Sequence, residues 1–575
     1  MKVFLAFLLP LSICLGARSQ PLNSGGAGPR ASENRALETR ASETPLSPAA
    51  IDSLVERSRR AFEVPGIAVA IIKDGKIIHS KGYGVRSLDT QQPVDENTLF
   101  GIASNSKAFT TAALGMLADE GKLNWDDKVR KYIPEFKLFD PYVTEEFTIR
   151  DLLCHRSGLG LGAGDLMFFP DSSDFTIPDI LHNLQFLKPV TSFRSKYAYD
   201  NNLYIVAGEV VARVSGMSWE DFIEKRILQP LGMTHSAASY DRLHDSTDVI
   251  DGHARVEGKV VVIARSRSKV DHAAGGIYSC IADLSKWVQL HLAGGKYGPD
   301  GRQLFSAAVL HERWAPQTIV PGEGGPYHTH FSAYGLGFGI SDVKGYKQIS
   351  HTGGLEGMVT QITMIPELQL GIIVLTNQEE GAAFSSITNQ IKDAYLGITG
   401  TDRITEYAMR RKVQLDEEKE ITDSIWGEVA RFQAQQAAPA RRGVGASGLA
   451  ARTAGASGVA SGASGASGGA SGAKSADWSI YTGVYRDAWL GEVIISVKNG
   501  RPWFDSKRSP KLTGEMLPFK GNSFIVKWRD RSMNADAFVL FSLDERGLAT
   551  GIKMKPVSPL TDFSYDFQDL DFHRE

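Results

Sequence analysis

Cysteine is nearly absent, with 3 in 575 residues. Cys14 sits in an apolar N-terminal run, which leaves Cys154 and Cys280 for the mature chain. Two cysteines cannot make the framework of a disulfide-built domain, so both are expected as buried small hydrophobes. An excess of one charge is also missing. Lys plus Arg is 63 and Asp plus Glu is 66, a formal net charge of -3. That balance argues against a nucleic-acid partner and against a polybasic membrane address. No apolar run beyond the N-terminus approaches a spanning length, so no membrane span is expected after residues 1–19 are removed. His328 and His330 form an H-x-H pair without Cys or acidic neighbours, which is a weak metal signal. Neither a metal nor a cofactor is expected.

What is present divides the chain. Met1-Lys2, an apolar run through Gly16 and the small-residue site Ala17-Arg18-Ser19 read as a signal peptide over 1–19, which predicts a secreted or periplasmic chain. Residues 20–46, rich in Ser, Gly, Ala, Pro and Arg, read as a flexible leader. A core domain is expected over 47–400. It opens with a helix near 51–62 and two strands, 66–72 and 76–79, around the hairpin dipeptide Asp74-Gly75. It closes with strands 359–365 and 370–376 around Pro366-Glu367 and a helix over 383–396. Short helices lie between, including 219–227 and 282–292. The predicted class is α/β (α+β), with one antiparallel sheet built from both chain ends, flanked by helices, and a helical subdomain inserted.

Residues 401–436 read as a helical connector. The Ala/Gly/Ser tract over 437–475 cannot bury enough surface to order itself and reads as a linker. Over 476–575 short strands recur at 493–497, 502–505, 524–528, 538–542 and 551–554, the pattern of a small all-β barrel. Its Trp503, Phe504 and Trp528 are expected in the barrel core rather than around a ligand.

Three segments carry chemistry. In Ser104-Asn105-Ser106-Lys107 the hydroxyl and amine lie one helical turn apart, on one face. A Ser hydroxyl needs such a base or cation to act as a nucleophile. The spacing alone is common, since Ser266/Lys269, Ser341/Lys344 and Ser471/Lys474 share it. Tyr199-Asp200-Asn201 adds a phenol and a carboxamide; a Tyr beside an ammonium can have a depressed pKa and serve as a base. His351-Thr352-Gly353-Gly354 adds a Gly pair on an expected edge strand, where a substrate backbone can approach closely and a backbone amide can help form an oxyanion hole. His155, in Cys154-His155-Arg156-Ser157-Gly158, reads as a structural residue of a helix-ending turn.

These segments, in this order, resemble the β-lactamase-related serine hydrolases. That group includes class C β-lactamases, penicillin-binding-protein-like carboxypeptidases, D-amino-acid peptidases and esterases. Gly66-Ile67-Ala68-Val69-Ala70, Pro230-Leu231-Gly232-Met233, Ala274-Gly275-Gly276 and Tyr334-Gly335-Leu336-Gly337 match as well, and the resemblance spans about 48–400. It implies a β-lactamase/transpeptidase-like core with Ser104 acylated, Lys107 helping to activate it, and Tyr199 as base and proton shuttle. It also implies that Asn201 holds Lys107 and substrate, and that His351, Thr352, Gly353 and Gly354 form the substrate strand. His351 stands where many members carry Lys. The C-terminal barrel, with Gly164-Asp165-Leu166-Met167-Phe168-Phe169-Pro170, is similar to D-amino-acid peptidase relatives whose extra domain is lipocalin-like and serves assembly and access. The expectation is a secreted serine hydrolase acting on a small peptide, ester or amide substrate, foremost peptides with D-residues, in a chain that can form a homo-oligomer. An esterase or β-lactamase is the alternative within the class. A non-catalytic binding protein that keeps the fold is the alternative outside it.

Overall fold

The computed structural model describes residues 45–322, 327–437 and 478–575. The signal segment 1–19, nearly all of the leader, the Ala/Gly/Ser tract and Ser471/Lys474 lie outside the described residues. Helix α1 (Pro48–Ala61) starts on Ser47, whose side chain accepts from the Ala50 amide, with Pro48 in the first turn. Strands β1 (Gly66–Lys73) and β2 (Lys76–Gly84) follow as a hairpin. Asp74 and Gly75 both take positive φ, +50° and +74°, as a two-residue turn between twisted strands requires. Helices α2 (Lys107–Asp119), α3 (Asn202–Ser215) and α4 (Ile281–Leu292) belong to the long middle stretch.

The chain then returns to the sheet through β3 (Thr318–Val320), β4 (Ser332–Tyr334), β5 (Gly339–Val343), β6 (Tyr346–Leu355), β7 (Met358–Ile365) and β8 (Leu370–Thr376). The strand order is β2-β1-β8-β7-β6-β5-β4-β3, and every pairing is antiparallel. The two chain ends therefore meet at the β1–β8 pair. Alternate residues of β1 feed opposite layers. Ile67, Val69 and Ile71 pack with α1 and with α5 (Gly381–Tyr395). Ala68, Ala70 and Ile72 pack towards α2 and α4, where Phe109 stacks on Trp287 at 3.8 Å. Both faces are covered, which is why β1 reads as one unbroken apolar run.

Helix α6 (Arg403–Ala437) is 35 residues long. Its first turns pack Ile404, Tyr407 and Ala408 on the α1/α5 layer, and Ile425, Trp426 and Val429 pack on the barrel residues Ile525 and Val557. Two separate seats explain why no continuous apolar stripe is visible in its sequence. The C-terminal segment is a closed eight-stranded barrel, β9 (Gly483–Asp487), β10 (Gly491–Lys498), β11 (Arg501–Ser506), β12 (Thr513–Pro518), β13 (Ser523–Trp528), β14 (Ala537–Leu543), β15 (Ala549–Pro556) and β16 (Phe572–Arg574). The sequence pattern missed β9, β12 and β16; β12 contains Gly514 and Pro518, and β16 is three residues long.

Phe504 and Trp528 are buried with Met516, Phe541 and Phe572, as an eight-stranded barrel just wide enough for side chains requires. The Trp528 indole donates to the Ala535 carbonyl at 2.7 Å. Trp503 instead faces outward, with the Lys498 ammonium over its ring. Cys154 and Cys280 are free and buried. His330 pairs with Asp342 at 3.0 Å. Among the described residues no helix is long and apolar enough to cross a membrane.

Candidate active site

Ser104 lies in a 3-10 turn, Ala103–Ser106, that runs straight into α2. The residue before it, Ala103, takes φ +50°, a left-handed conformation that costs a non-glycine residue energy and persists only when its surroundings enforce it. Those surroundings are on three sides. The Asn105 amide donates to Thr360 Oγ1 at 2.9 Å, and that hydroxyl donates to the Ile102 carbonyl at 3.0 Å. The Ile277 backbone N–H donates to Ser106 Oγ at 3.1 Å. Ser104 is thereby presented to a cavity of about 1300 Å³ that it lines with Tyr199, Asn201, His351, Thr352 and Gly354.

Lys107 is fully buried. Its Nζ lies 3.1 Å from Ser104 Oγ, 2.6 Å from Asn201 Oδ1 and 2.9 Å from the Ala274 carbonyl. The last two partners only accept. A neutral amine satisfies both with its two N–H groups and turns its lone pair to Ser104. An ammonium uses all three N–H groups and turns a donor there. Burial pushes the Lys107 pKa down to about 7, against the pull of Asp165, Asp271 and Asp200, so both forms are accessible near neutral pH.

Tyr199 is placed over this group, with Nζ 4.8 Å from its ring centre. The neighbouring cation was expected to depress the Tyr199 pKa. Burial dominates instead and raises it well above 10, with the Ser104 hydroxyl acting in the other direction. The phenol is thus protonated at neutral pH, and its buried oxygen is otherwise unpartnered. Asn201 caps α3, and its Nδ2 donates to Asp165 Oδ2 at 2.8 Å.

His351 is on β6, the strand beside the nucleophile turn. Its Nδ1 faces the Thr352 carbonyl at 2.5 Å and must donate, so Nε2 accepts from the Tyr334 hydroxyl at 2.7 Å. Burial holds its pKa down to about 3, with Lys107 adding to the effect. It is a neutral, fully engaged imidazole. Gly353 and Gly354 differ sharply. A Cβ at Gly353 would sit 2.3 Å from the Ile102 carbonyl and 2.9 Å from Ala103, whereas one at Gly354 meets nothing within 4 Å. Gly353 lets the strand press against the nucleophile turn, and Gly354 faces the cavity. Gly353→Ala is accordingly expected to lose about 1–3 kcal/mol of stability by overpacking, and Gly354→Ala to keep wild-type stability. Urea unfolding of the two variants checks this.

The structure brings together Ser104, Lys107, Tyr199, Asn201, His351, Thr352 and Gly354 around one cavity, with Gly353 behind it. Ser266/Lys269 lies in a loop and Ser341/Lys344 on a strand and turn, so neither sits at the start of a helix. Sequence reasoning missed Asp165, Tyr334 and the Ala274 carbonyl as parts of the site. Asp165 carried a signal, a carboxylate beside the apolar run Leu166-Met167-Phe168-Phe169. His155 stands buried in the turn that ends the helix Ile149–Leu153, as expected, with its ring 4.2 Å from that of Tyr199 and its Nδ1 accepting from the Asp200 amide at 3.1 Å.

Residues 51–396 match the family described as Beta-lactamase. The chain belongs to that family. It has a core of that fold, followed by the barrel. Residues 469–574 match a domain of unknown function, DUF3471. Among similar proteins, "Unguisins hydrolase ungD" of Aspergillus violaceofuscus (strain CBS 115571) is 28% identical over 373 residues, 61% of this chain and 65% of that protein. "Protein flp" of Staphylococcus aureus (strain NCTC 8325 / PS 47) is 26% identical over 330 residues, 57% of this chain and 62% of that one. The chain thus matches less than two thirds of either relative's length. The octameric penicillin-binding protein homologue from Pyrococcus abyssi shares the fold at TM-score 0.55 and 20% identity, over 91% of this chain and 99% of its own.

Proposed function

We propose that this chain is a serine hydrolase that cleaves amide or ester bonds in peptides containing D-residues, through an acyl-Ser104 intermediate. The Lys107 amine, held by two acceptors with its third direction on Ser104 Oγ, carries the reading. In the neutral form it takes the Ser104 proton as Oγ attacks the substrate carbonyl. Backbone N–H groups of Ser104 and Gly354 receive the oxyanion. The Tyr199 phenol, protonated by virtue of its burial, gives its proton to the leaving nitrogen or oxygen and recovers one from the ammonium. Water then repeats the sequence on the acyl group.

His351 bears on the substrate. A neutral imidazole with both nitrogens engaged offers no cation to a terminal carboxylate. This supports substrates bound through their backbone rather than through a free carboxylate, and it ranks β-lactam hydrolysis behind peptide and ester cleavage. The cavity of about 1300 Å³ exceeds the roughly 300–1000 Å³ of small-ligand pockets, which supports a peptide segment of several residues. A relative named as a hydrolase of unguisins is in keeping with a peptidic substrate. Secretion is proposed from the N-terminal sequence alone, and assembly into a homo-oligomer from the octameric structural neighbour.

The test sets four substrates against one preparation: a D-amino-acid anilide, its L-isomer, a short-chain ester and a chromogenic cephalosporin. The expected order of kcat/KM is D-anilide and ester above L-anilide, with the cephalosporin lowest. A cephalosporin turned over fastest overturns the substrate reading, and no turnover of any of the four favours a binding protein instead.

A further inference from the structure

The hydrogen-bond chain behind Lys107 does not end in the core domain. An Asn side chain presents either its oxygen or its NH2 group, and only the oxygen suits an ammonium donor. Something must therefore fix the Asn201 amide. Asp165 does so: its Oδ2 accepts from Asn201 Nδ2 at 2.8 Å. The same oxygen accepts from Ser564 Oγ at 2.9 Å. Ser564 belongs to the barrel, in the segment between β15 and β16, 399 residues further along the chain.

That barrel segment is seated on the residues around Asp165. Asp566 accepts from the Gly164 amide at 2.6 Å and the Leu166 amide at 3.2 Å, on either side of Asp165. Tyr565 meets the Phe169 ring edge-on at 5.0 Å, and Phe563 meets Tyr199 in the same way at 5.8 Å. A Cβ at Gly162, whose φ is +70°, would lie 2.7 Å from the Phe563 carbonyl, so the two backbones touch with no room for a side chain.

We infer that Asp165 is a positioning residue for the catalytic lysine, and that the barrel completes the active site through the chain Ser564–Asp165–Asn201–Lys107. This rests on the reading of Ser104 and Lys107 as nucleophile and base. Asp165 acts as an acceptor through a single oxygen. It is fully buried, and burial together with Asp200 raises its pKa well above the carboxylate range, against Asn201, Ser564 and Lys107. Asp566 nearby is raised likewise, in part by Asp165 itself. One Asp165 oxygen takes both hydrogen bonds, while the other, Oδ1, has no partner among the described residues. An Asn at this position can therefore offer its carbonyl oxygen to the same two donors.

The experiment uses the full chain, with hydrolysis of a p-nitrophenyl ester for kcat and KM and a fluorophosphonate probe for the rate of serine labelling. Asp165→Ala is expected to lower kcat by about 10–100-fold, the range for one lost buried hydrogen bond, with KM within about threefold. Asp165→Asn is expected to recover most of that loss. Ser564→Ala, which removes only a hydroxyl, is expected to lose roughly threefold to tenfold. Because Asp165 works through Asn201, adding Asp165→Ala to Asn201→Ala should cost little further. Thermal unfolding of each variant separates lost positioning from lost fold. Wild-type kcat in Asp165→Ala, an Asn variant as damaged as the Ala variant, or additive losses in the double variant overturns the inference. Should Asp165→Ala not fold, wild-type kcat in a folded Ser564→Ala overturns the barrel's part. A wild type that takes no label, or a Ser104→Ala variant that labels equally, overturns the underlying nucleophile reading instead.

Discussion

Ser104→Ala is expected to lower kcat on every substrate by roughly 10⁴-fold or more, and to leave no covalent adduct by intact mass after probe treatment. The size of the effect follows from the absence of a substitute. Ser106 is buried and receives the Ile277 amide, and both described cysteines are buried. The left-handed Ala103 turn presents one hydroxyl to the cavity beside the amine. The fold should survive the change, because Ser104 Oγ is only one of three partners of Lys107. A variant that retains the adduct ends the assignment.

Lys107→Met is the second large effect, expected at roughly 10³-fold or more in kcat/KM because the nucleophile loses its base. Its pH dependence is equally specific. Below the Lys107 pKa of about 7 the amine carries its proton and cannot accept another, so wild-type kcat/KM should rise with pH through about 7. No fall is expected below pH 10 on account of Tyr199, whose pKa is raised well above that value. The imidazoles of His351 and His155 do not contribute in this window, since His351 is held near 3 and His155 well below its usual value. Asp200 does, because burial pushes it up to about 7; the expected limb therefore belongs to the Lys107–Asp200 pair as a macroscopic step. In Lys107→Met the rise through 7 should be much reduced, leaving only the Asp200 contribution. A limb near 7 that persists unchanged in this variant assigns the titration elsewhere.

Much of the fold follows from local signals. The run Gly66–Ile72 is apolar throughout because both its faces are covered, and Asp74-Gly75 announces the turn after it. That both ends of the core share one sheet was accessible because both read as strands while the middle read as helices. The site was accessible for a different reason: Ser104 and Lys107 are one turn apart, and Tyr199 and Asn201 share one short element. What joins these pieces left little trace. The Asp165–Ser564 contact links residues 399 positions apart, and hydrogen bonds of that kind impose no periodicity on either segment. The sign of the Tyr199 shift was also out of reach. A neighbouring Lys argues for depression, and only the burial of the ring reveals that desolvation wins. Strands β12 and β16 escaped because a closed barrel lets neighbours supply the order that short or Gly- and Pro-containing segments lack.

The two core cysteines carry a practical consequence. Burial raises the Cys154 and Cys280 thiols to about 11 and 12, so neither offers a thiolate at pH 7–8. Among the described residues the folded chain is thus silent towards maleimides. In a chain lacking residues 1–19, and with them Cys14, a single cysteine placed on the barrel surface would be a selective handle for a fluorophore or spin label, with Cys154 and Cys280 left in place.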